Sequence, residues 1–300
     1  MLLLNGTQMH RRFISTINNG RYDMMKKENR LALLFIVPSF FGVAMFFIIP
    51  FVMSLGYAAT DARGNFVGLS NFAGLFGNES FRLATVNTVK FMVVAIPLNI
   101  IIPLFIACLL FHMIGNVWLK MIFMSPLVIP SACVAFFFQS LFMSNGLLSR
   151  ILGENIDWLQ TEYSFVIVVG VYIWKNMGFN LVLALAGLAN IPKDYYEWAA
   201  VEGMGKWRMF YKITIVYLIP ALFIMFVMSF INSFKIFREI YMLAGSYPNE
   251  KIYMLQHYMN NQFSRLNYQN LTTSAFVMTF VITAFMITFF IIDKRVEFGE

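Results

Sequence analysis

Long apolar runs separated by short charged connections dominate this chain. Six runs are long enough to cross a bilayer as helices, which takes about 20 apolar residues. They lie at about 31–57, 83–110, 120–150, 162–193, 213–234 and 271–292. None alternates apolar and polar residues as a membrane barrel strand does, and in lipid a helix satisfies its own backbone groups. The pattern predicts an all-α integral membrane protein with six transmembrane helices.

The composition agrees with a membrane protein. Hydrophobic residues make up 59% of the 300 residues and charged residues only 12%, whereas soluble domains carry about 25% charged residues. No charge-mixed stretch is long enough for a soluble domain. We therefore expect one transmembrane domain at 31–293, with tails at 1–30 and 294–300.

The basic residues indicate an orientation. The two tails and the second-to-third and fourth-to-fifth connections hold 13 of the 22 Lys and Arg residues, and the alternate connections hold 7. Because Lys and Arg accumulate on the cytoplasmic side, both termini are predicted to be cytoplasmic. The net charge of +7 is then explained by topology and contact with anionic membrane lipid, and we expect no nucleic-acid binding.

No pattern in the sequence indicates catalysis. The three histidines are scattered, both cysteines fall in predicted spans, and no His, Cys and carboxylate cluster has metal-ligand spacing. The sequence lacks both the GxxxxGK[ST] phosphate-binding loop and the G-x-S-x-G nucleophile turn. We therefore predict no catalytic residue, no metal, no cofactor and no enzymatic activity of the chain itself.

One charged and aromatic insert, about residues 190–212, separates the fourth and fifth runs. It contains the stretch YYEWAAVEGMGKWRMFYKI. Pro192 suits a helix start, and the spacing of Tyr195, Trp198, Ala199 and Glu202 predicts one aromatic and small face. Gly203-Met204-Gly205 predicts a sharp break before a second short helix. Two interpretations stay open, an amphipathic helix on the membrane surface or a docking element for a soluble partner.

The insert resembles the cytoplasmic signature of binding-protein-dependent ABC importer permeases. That signature reads E-A-A-x-x-x-G and continues after nine residues with I-x-L-P. Here Glu197, Ala199 and Gly203 match it, Trp198 replaces the first Ala, and Val216 replaces the Pro. Its spacing is intact, and Glu202 occupies the acidic position before the glycine. The resemblance implies a coupling helix that binds an ATPase through Glu197, Trp198, Ala199, Glu202 and Gly203.

The resemblance extends from about residue 31 to 292. The stretches LLFIVPSFFGVAMFFIIPFVMSL, YIWKNMGFNLVLALAGLANIPKDYYEWAA and INSFKIFREIYMLAG are similar to the sugar-type subclass, in the form of the first of two paired maltose-class permeases. This implies a permease for a sugar, oligosaccharide or related carbohydrate in a bacterial or archaeal cell membrane. Its implied partners are a second permease, two cytoplasmic ATPases that hydrolyse the ATP, and an extracytoplasmic solute-binding protein.

Polar residues inside the predicted spans are candidates for the substrate pathway. A Lys in the middle of a bilayer costs roughly 2.5 to 3.5 kcal/mol, so such residues need a reason to be there. The candidates are Lys175, Asn176, Asn180, Asn232 and Ser233. The alternative for each is a satisfied contact between helices or a side chain that reaches the interface, which we favour for Lys90 and Lys235.

Two other classes of membrane protein compete with an ATP-driven importer. An ion-coupled secondary transporter would need carboxylates within the bundle, but no Asp or Glu lies in the middle of a predicted span. A non-transport membrane scaffold is the second alternative.

Overall fold

The computed structural model describes residues 36–111 and 117–298, with side chains described for residues 36–111 and 118–291. Six helical stretches in this part of the chain are long and apolar enough to cross a membrane, namely Ile36–Ala59, Glu79–Phe111, Ser131–Leu152, Ser164–Ala189, Lys206–Ala244 and Tyr268–Ile291. The one β pairing among the described residues is an isolated bridge between Thr60 and Phe66. The predicted all-α class and the six spans are confirmed.

The described chain forms two compact units, one ending at Gly68 and the other beginning at Leu69. The first contains helix α1, Ile36–Ala59, which widens into a π-helical turn at Ala44–Ile48. Pro50 follows this turn, and its ring would clash with the carbonyl four residues earlier in a regular α-helix. The N–H of Ile49 donates to Ala44 O, five residues back, so the wider turn accommodates the proline.

The second unit contains the remaining helices. In chain order they are α2 Ser70–Gly77, α3 Glu79–Phe111, α4 Val117–Val128, α5 Ser131–Phe142, α6 Leu147–Leu152, α7 Ser164–Ala189, α8 Lys193–Val201, α9 Lys206–Met209, α10 Ile215–Lys235, α11 Phe237–Ala244, α12 Leu255–Ser264 and α13 Tyr268–Phe298. Short 3₁₀ turns lie at Trp158–Gln160 and Glu250–Ile252.

Helices α3, α7 and α10 pack against one another and form the centre of this unit. Leu104, Leu181 and Leu218 lie in one buried cluster shared by the three helices. Helix α4 also packs closely against α7, because a Cβ at Gly178 would lie only 3.0 Å from Met124 Cα. Small residues allow such close approach between membrane helices.

The third predicted span differs from a single helix. It divides into α4 and α5, and Pro130 caps the start of α5 in an extended conformation with ψ 143°. Proline disfavours helical geometry at the residue before it and has no N–H to continue a hydrogen-bond ladder. The predicted run at about 120–150 is therefore not one continuous helix, and the apolar residues on both sides of Pro130 give no sign of the break.

The fifth and sixth spans are longer than predicted. Helix α9, a π-helical segment at Phe210–Thr214 and α10 follow without interruption, and α11 begins directly after Ile236. The fifth apolar stretch therefore runs from Lys206 to Ala244, not from 213 to 234. Helix α13 continues to Phe298, past the predicted start of the tail at 294. The predicted N-terminal tail and residues 31–35 lie outside the described residues.

Candidate functional site

Helix α8 has a sharply defined end. Gly203 adopts φ +73°, its N–H donates to Ala200 O at 3.0 Å, and the N–H of Met204 donates to Ala199 O at 2.9 Å. This pair of bonds is a Schellman motif, in which glycine takes the left-handed position because a Cβ would be strained there. Since α9 begins at Lys206, the predicted short helix, break and second helix are confirmed.

One face of α8 packs on its own chain and the other is exposed. Ala199 is buried, and the Tyr196 hydroxyl lies 2.8 Å from Thr214 Oγ1 in the π-helical segment. In contrast, Trp198 is 75% exposed and Val201 is 89% exposed. The predicted shared face of Trp198 and Ala199 was therefore wrong, because only Trp198 points outward. Ala199 can position this helix, but it has no free surface for a partner.

The exposed surfaces of α8 and of the segment that follows carry opposite charge. On α8, three exposed carboxylates surround Trp198 and Val201; they belong to Asp194, Glu197 and Glu202. The following segment exposes Lys206, Trp207, Arg208, Tyr211 and Lys212. Basic and aromatic side chains suit lipid headgroups. An acidic and aromatic surface is repelled by anionic lipid and instead suits a basic protein groove.

A charged cluster joins three helices of the second unit. Lys175 on α7 pairs with the carboxylate of Glu239 on α11, and its Nζ also donates to Ser131 Oγ at 2.5 Å on α5. The Glu239 side chain is only 4% exposed, whereas that of Lys175 is 21% exposed. We call these three residues the charged cluster. A buried charge of this kind persists only with an opposite charge and hydrogen bonds beside it.

The charged cluster borders a small polar cavity of about 90 Å³, which we call the Lys175 cavity. Its wall includes Lys175, Asn176, Asn232, Lys235, Arg238 and Glu239. Three cationic groups face one carboxylate, and two carboxamides supply further donors and acceptors. Such a wall can bind hydroxyl and carboxylate groups. Three of the predicted pathway residues, Lys175, Asn176 and Asn232, thus lie together.

A neutral cluster lies between α3, α7 and α10, and it adjoins the Lys175 cavity because Tyr172 also lines that cavity. We use this name for Asn99, Tyr172, Asn180 and Ser229. The Asn180 amide donates to Asn99 O at 2.6 Å and to Ser229 Oγ at 3.0 Å, and Asn99 Nδ2 donates to the same hydroxyl at 2.9 Å. The Tyr172 hydroxyl donates to Ser229 O at 2.6 Å. All of these atoms are buried.

Pro103 explains why the neutral cluster forms at this level of the bundle. In a regular helix Asn99 O would accept from the N–H of residue 103, but proline has no N–H. The Asn180 side chain supplies the missing donor from the neighbouring helix. A carbonyl freed by a proline in a membrane helix is satisfied by a neighbouring helix in this way, so this cluster has a structural reason to exist.

Two predicted pathway residues do not line the Lys175 cavity in this conformation. Asn180 is 1% exposed within the neutral cluster. Ser233 is 2% exposed, and its hydroxyl donates to Phe230 O of its own helix at 2.6 Å. Asn180 thus has the satisfied contact between helices that was the alternative to a pathway role, whereas Ser233 is bonded only within its own helix.

Sequence reasoning missed Glu239, the partner of Lys175. The predicted fifth span ended at Phe234, so no carboxylate was expected inside the bundle. The signal was present, since a lysine in the middle of an apolar run requires an anionic partner. Glu239 lies only five residues past the predicted end of that run, and a continuing helix brings it back to the bundle.

The fold and the polar groups between its helices define a multi-pass membrane protein. Residues 92–299 match the family model described as binding-protein-dependent transport system inner membrane component. The trehalose/maltose transport system permease protein of Thermococcus litoralis is 31% identical over 77% of this chain and 82% of its own length. The chain belongs to this family of transport permeases. It is a membrane permease of an ABC importer.

Other relatives and a solved structure agree with this family. The arabinooligosaccharides transport system permease protein of Bacillus subtilis is 30% identical over 75% of both chains, and the lactose transport system permease protein of Rhizobium radiobacter is 29% identical over 69% of this chain and 74% of its own. A chain of a bacterial ABC transporter that imports alginate superposes with a TM-score of 0.75 at 21% identity, covering 90% of this chain and 96% of that one. That likeness concerns the fold.

Proposed function

We propose that this permease carries a carbohydrate across a bacterial or archaeal cell membrane, after an extracytoplasmic binding protein has delivered it. The names of the relatives support this, since their substrates are trehalose or maltose, arabinooligosaccharides and lactose. The amides and cations around the Lys175 cavity suit a hydroxylated ligand. A glycan panel tested against the cognate binding protein identifies the sugar, and binding of peptides or metal ions instead would contradict a carbohydrate.

The proposed assembly contains a second permease and two cytoplasmic ATPases. The observation that supports it best is the shape and charge of α8, which presents Glu197, Trp198 and Glu202 beside a fixed glycine turn. We propose that α8 inserts into a groove of one ATPase and moves with it. ATP hydrolysis then belongs to the partner subunits, and the permease alternates between inward-open and outward-open states.

In the proposed orientation both termini and α8 face the cytoplasm. The transmembrane domain then spans 31–293, between cytoplasmic tails. Maleimide labelling that does not cross the membrane should reach single cysteines introduced at Asn78 and Asn260 in intact cells, on a background without Cys108 and Cys133. A cysteine at Gly205 should be labelled only in opened cells, and labelling there from outside would reverse the orientation.

Within the bundle we propose that Lys175, Asn176 and Asn232 contact the passing sugar. These three side chains share the wall of one cavity. Asn180 and Ser233 are buried and do not line this cavity, and we assign them to the support of the pathway. A cavity of about 90 Å³ is too small for a sugar, so transport requires the helices to separate here.

The turn at Gly203 provides the sharpest test of the ATPase contact. A Cβ at Gly203 meets no atom of this chain within 4 Å, although φ is +73°. Gly153 is a matched control, because it also ends a helix, has φ +71° and faces open space. Both Gly203→Leu and Gly153→Leu introduce the same backbone strain. We expect only Gly203→Leu to release the ATPase from membranes and abolish uptake.

The readout is the amount of ATPase that copurifies with equal amounts of inserted permease. Glu197→Ala should give a milder loss, because a hydrogen bond to a charged group contributes about 1.5 to 3 kcal/mol. If Gly203→Leu retains the ATPase and transports normally, α8 is not the docking element. Equal loss in the Gly153→Leu variant would instead assign the defect to backbone strain.

A further inference from the structure

A second polar cavity lies apart from the Lys175 cavity, in the segment between the fifth and sixth spans. Its volume is about 240 Å³, and it shares no residue with the Lys175 cavity. Its wall combines three tyrosines with amide and guanidinium groups, from Tyr247, Tyr253, Tyr258, Asn261, Gln262 and Arg265. Helix α12 contributes Tyr258, Asn261 and Gln262, and the first turns of α3 close one side. We call this the tyrosine cavity.

A buried hydroxyl in the wall has no partner. The Tyr258 side chain is fully buried, and its hydroxyl makes no hydrogen bond within the described residues. Buried polar groups are almost always hydrogen-bonded, and leaving one unpaired is costly. A tyrosine hydroxyl that lines a polar cavity without a partner is therefore a candidate to bind a ligand.

Neighbouring hydrogen bonds hold the other aromatic groups in place. Asn261 Nδ2 donates to Ser246 O at 3.0 Å and lies 3.3 Å from the Tyr253 hydroxyl. Arg265 Nη2 donates to the Tyr247 hydroxyl at 3.1 Å, and its guanidinium lies 6.0 Å from the centre of that ring. The wall is thus organised before any ligand binds, which reduces the entropy cost of binding.

The chemistry of the wall selects a neutral, hydroxylated ring. Tyrosine rings offer flat apolar surfaces for the C–H faces of a sugar, while hydroxyl and carboxamide groups donate and accept hydrogen bonds. Glu250 also borders the cavity, and its carboxylate offsets the charge of Arg265 and disfavours an anion. Apolar walls with a few placed polar groups are the usual make-up of a small-molecule site.

We propose that the tyrosine cavity binds one sugar unit of the substrate, at a site separate from the Lys175 cavity. This rests on the proposed carbohydrate function. In the proposed orientation α12 lies on the extracytoplasmic side, so a sugar released by the binding protein reaches the tyrosine cavity first. Tyr258 and Gln262 then bind its hydroxyl groups, and Tyr247 and Tyr253 contact its ring faces.

Direct binding to the full chain tests this site without transport. The permease is placed in lipid nanodiscs free of glycoside detergent, and maltose, lactose and arabinobiose are the probes in saturation-transfer NMR. At least one probe should show ring-proton signals. Tyr258→Phe should raise its dissociation constant roughly three- to tenfold, as expected for one lost hydrogen bond. The melting temperature should not fall, because the removed hydroxyl has no partner in the protein and an unpaired buried hydroxyl does not stabilise the fold.

Matched variants show whether the bound sugar occupies the tyrosine cavity. Tyr211→Phe, which removes an exposed hydroxyl far along the chain, should leave binding unchanged. Absence of ring-proton signals for all three probes overturns the proposal, and so does a signal that Asn232→Leu removes while Tyr258→Phe leaves it intact. If binding depends on Tyr258 but the importer takes up no carbohydrate, the site stands and the proposed function fails.

Discussion

The charged cluster and the neutral cluster both draw on helix α7, yet their surroundings differ. Lys175 and Glu239 border a cavity, and two further cations face the same space. The neutral cluster is buried, since its four residues are each at most 1% exposed, and only Tyr172 among them lines the Lys175 cavity. Among the described residues of that cluster, only Asn99 Oδ1 lacks a hydrogen-bond partner. The same chain therefore uses buried polar groups in two ways.

In the function we propose, this difference separates the residues of the substrate route from the residues that support it. A buried network fixes how helices pack, because the amides of Asn99 and Asn180 and the hydroxyl of Tyr172 donate to acceptors on other helices. The charged cluster instead keeps charged groups beside a cavity. Removing either partner of its ion pair lowers the stability of the fold, because the other charge stays buried without a partner. The position of a polar residue inside an apolar run does not show which kind of cluster it belongs to, because a polar side chain of either kind is costly in lipid.

The largest effect should come from breaking the charged cluster on one side. Lys175→Met leaves Glu239 buried and unpaired, which should lower the free energy of unfolding by about 3 to 5 kcal/mol. Glu239→Leu should have a similar cost. The double variant should recover most of the stability, because no unpaired charge remains. Reversible unfolding in mixed micelles measures all three.

Lys90→Met is the matched control for the loss of a lysine from a span. Lys90 is exposed, so its replacement should change stability by less than about 0.5 kcal/mol. Should the double variant be as unstable as either single variant, the ion pair would not be the source of the effect. The double variant should still transport poorly, since the cavity has lost Lys175, which we propose contacts the sugar, and its one carboxylate, Glu239.

His257 represents a third case, a buried polar group with an unpaired atom. Its Nδ1 accepts the Met254 N–H at 3.2 Å, while Nε2 has no partner among the described residues. Burial lowers the pKa of His257 to about 4, from 6.5. The unfolded chain therefore binds a proton as pH falls below 6.5, and the folded chain does so only near pH 4. Stability is fully present above pH 6.5 and is lost as pH falls towards 4.

Between pH 7.5 and 5.0 this proton should lower the free energy of unfolding by about 2 kcal/mol. His257→Asn keeps an acceptor for the Met254 N–H but does not titrate. The drop in the free energy of unfolding between the two pH values should therefore be smaller by about 2 kcal/mol in this variant. Unfolding curves at the two pH values for both proteins provide the comparison. An identical pH dependence in the variant would show that other groups cause it.

The neutral cluster should tolerate change better than the charged cluster. Asn180→Leu removes the donor that Asn99 O needs, and an unpaired buried carbonyl costs about 1 to 2 kcal/mol. Because Pro103 created that need, Pro103→Ala supplies a backbone N–H in its place. Asn180→Leu should therefore cost less in the Pro103→Ala background. Equal costs in both backgrounds would disprove the link between the proline and the asparagine.

The sequence predicts the spans and the turn well because both depend on local signals. Apolar runs define the six spans, and Gly203 follows a helix whose end its own neighbours determine. The break at Pro130 is also local, but continuous hydrophobicity on both sides concealed it. The extension beyond Phe234 was missed because Lys235 and Arg238 look like the end of a span.

The polar clusters could be predicted only as a set of candidates. Lys175 and Glu239 lie 64 residues apart, and Asn99 and Asn180 lie 81 apart, so their pairing depends on how the helices pack. The sequence identifies the residues that need partners in lipid. It does not give the rotation of each helix, and that rotation decides whether Asn232 or Ser233 faces the cavity.

Asn232 and Ser233 allow the smallest and most selective test of this distinction. They are adjacent on α10, but Asn232 lines the Lys175 cavity whereas Ser233 bonds to Phe230 O in its own helix. Ser233→Ala loses only a local bond, so stability should fall by less than about 1 kcal/mol and uptake should stay within about twofold. Asn232→Ala should lower uptake several-fold or change which sugars compete, at normal membrane levels. If Ser233→Ala changes competition and Asn232→Ala does not, α10 turns its other face to the substrate during transport, and Ser233 belongs to the route in place of Asn232.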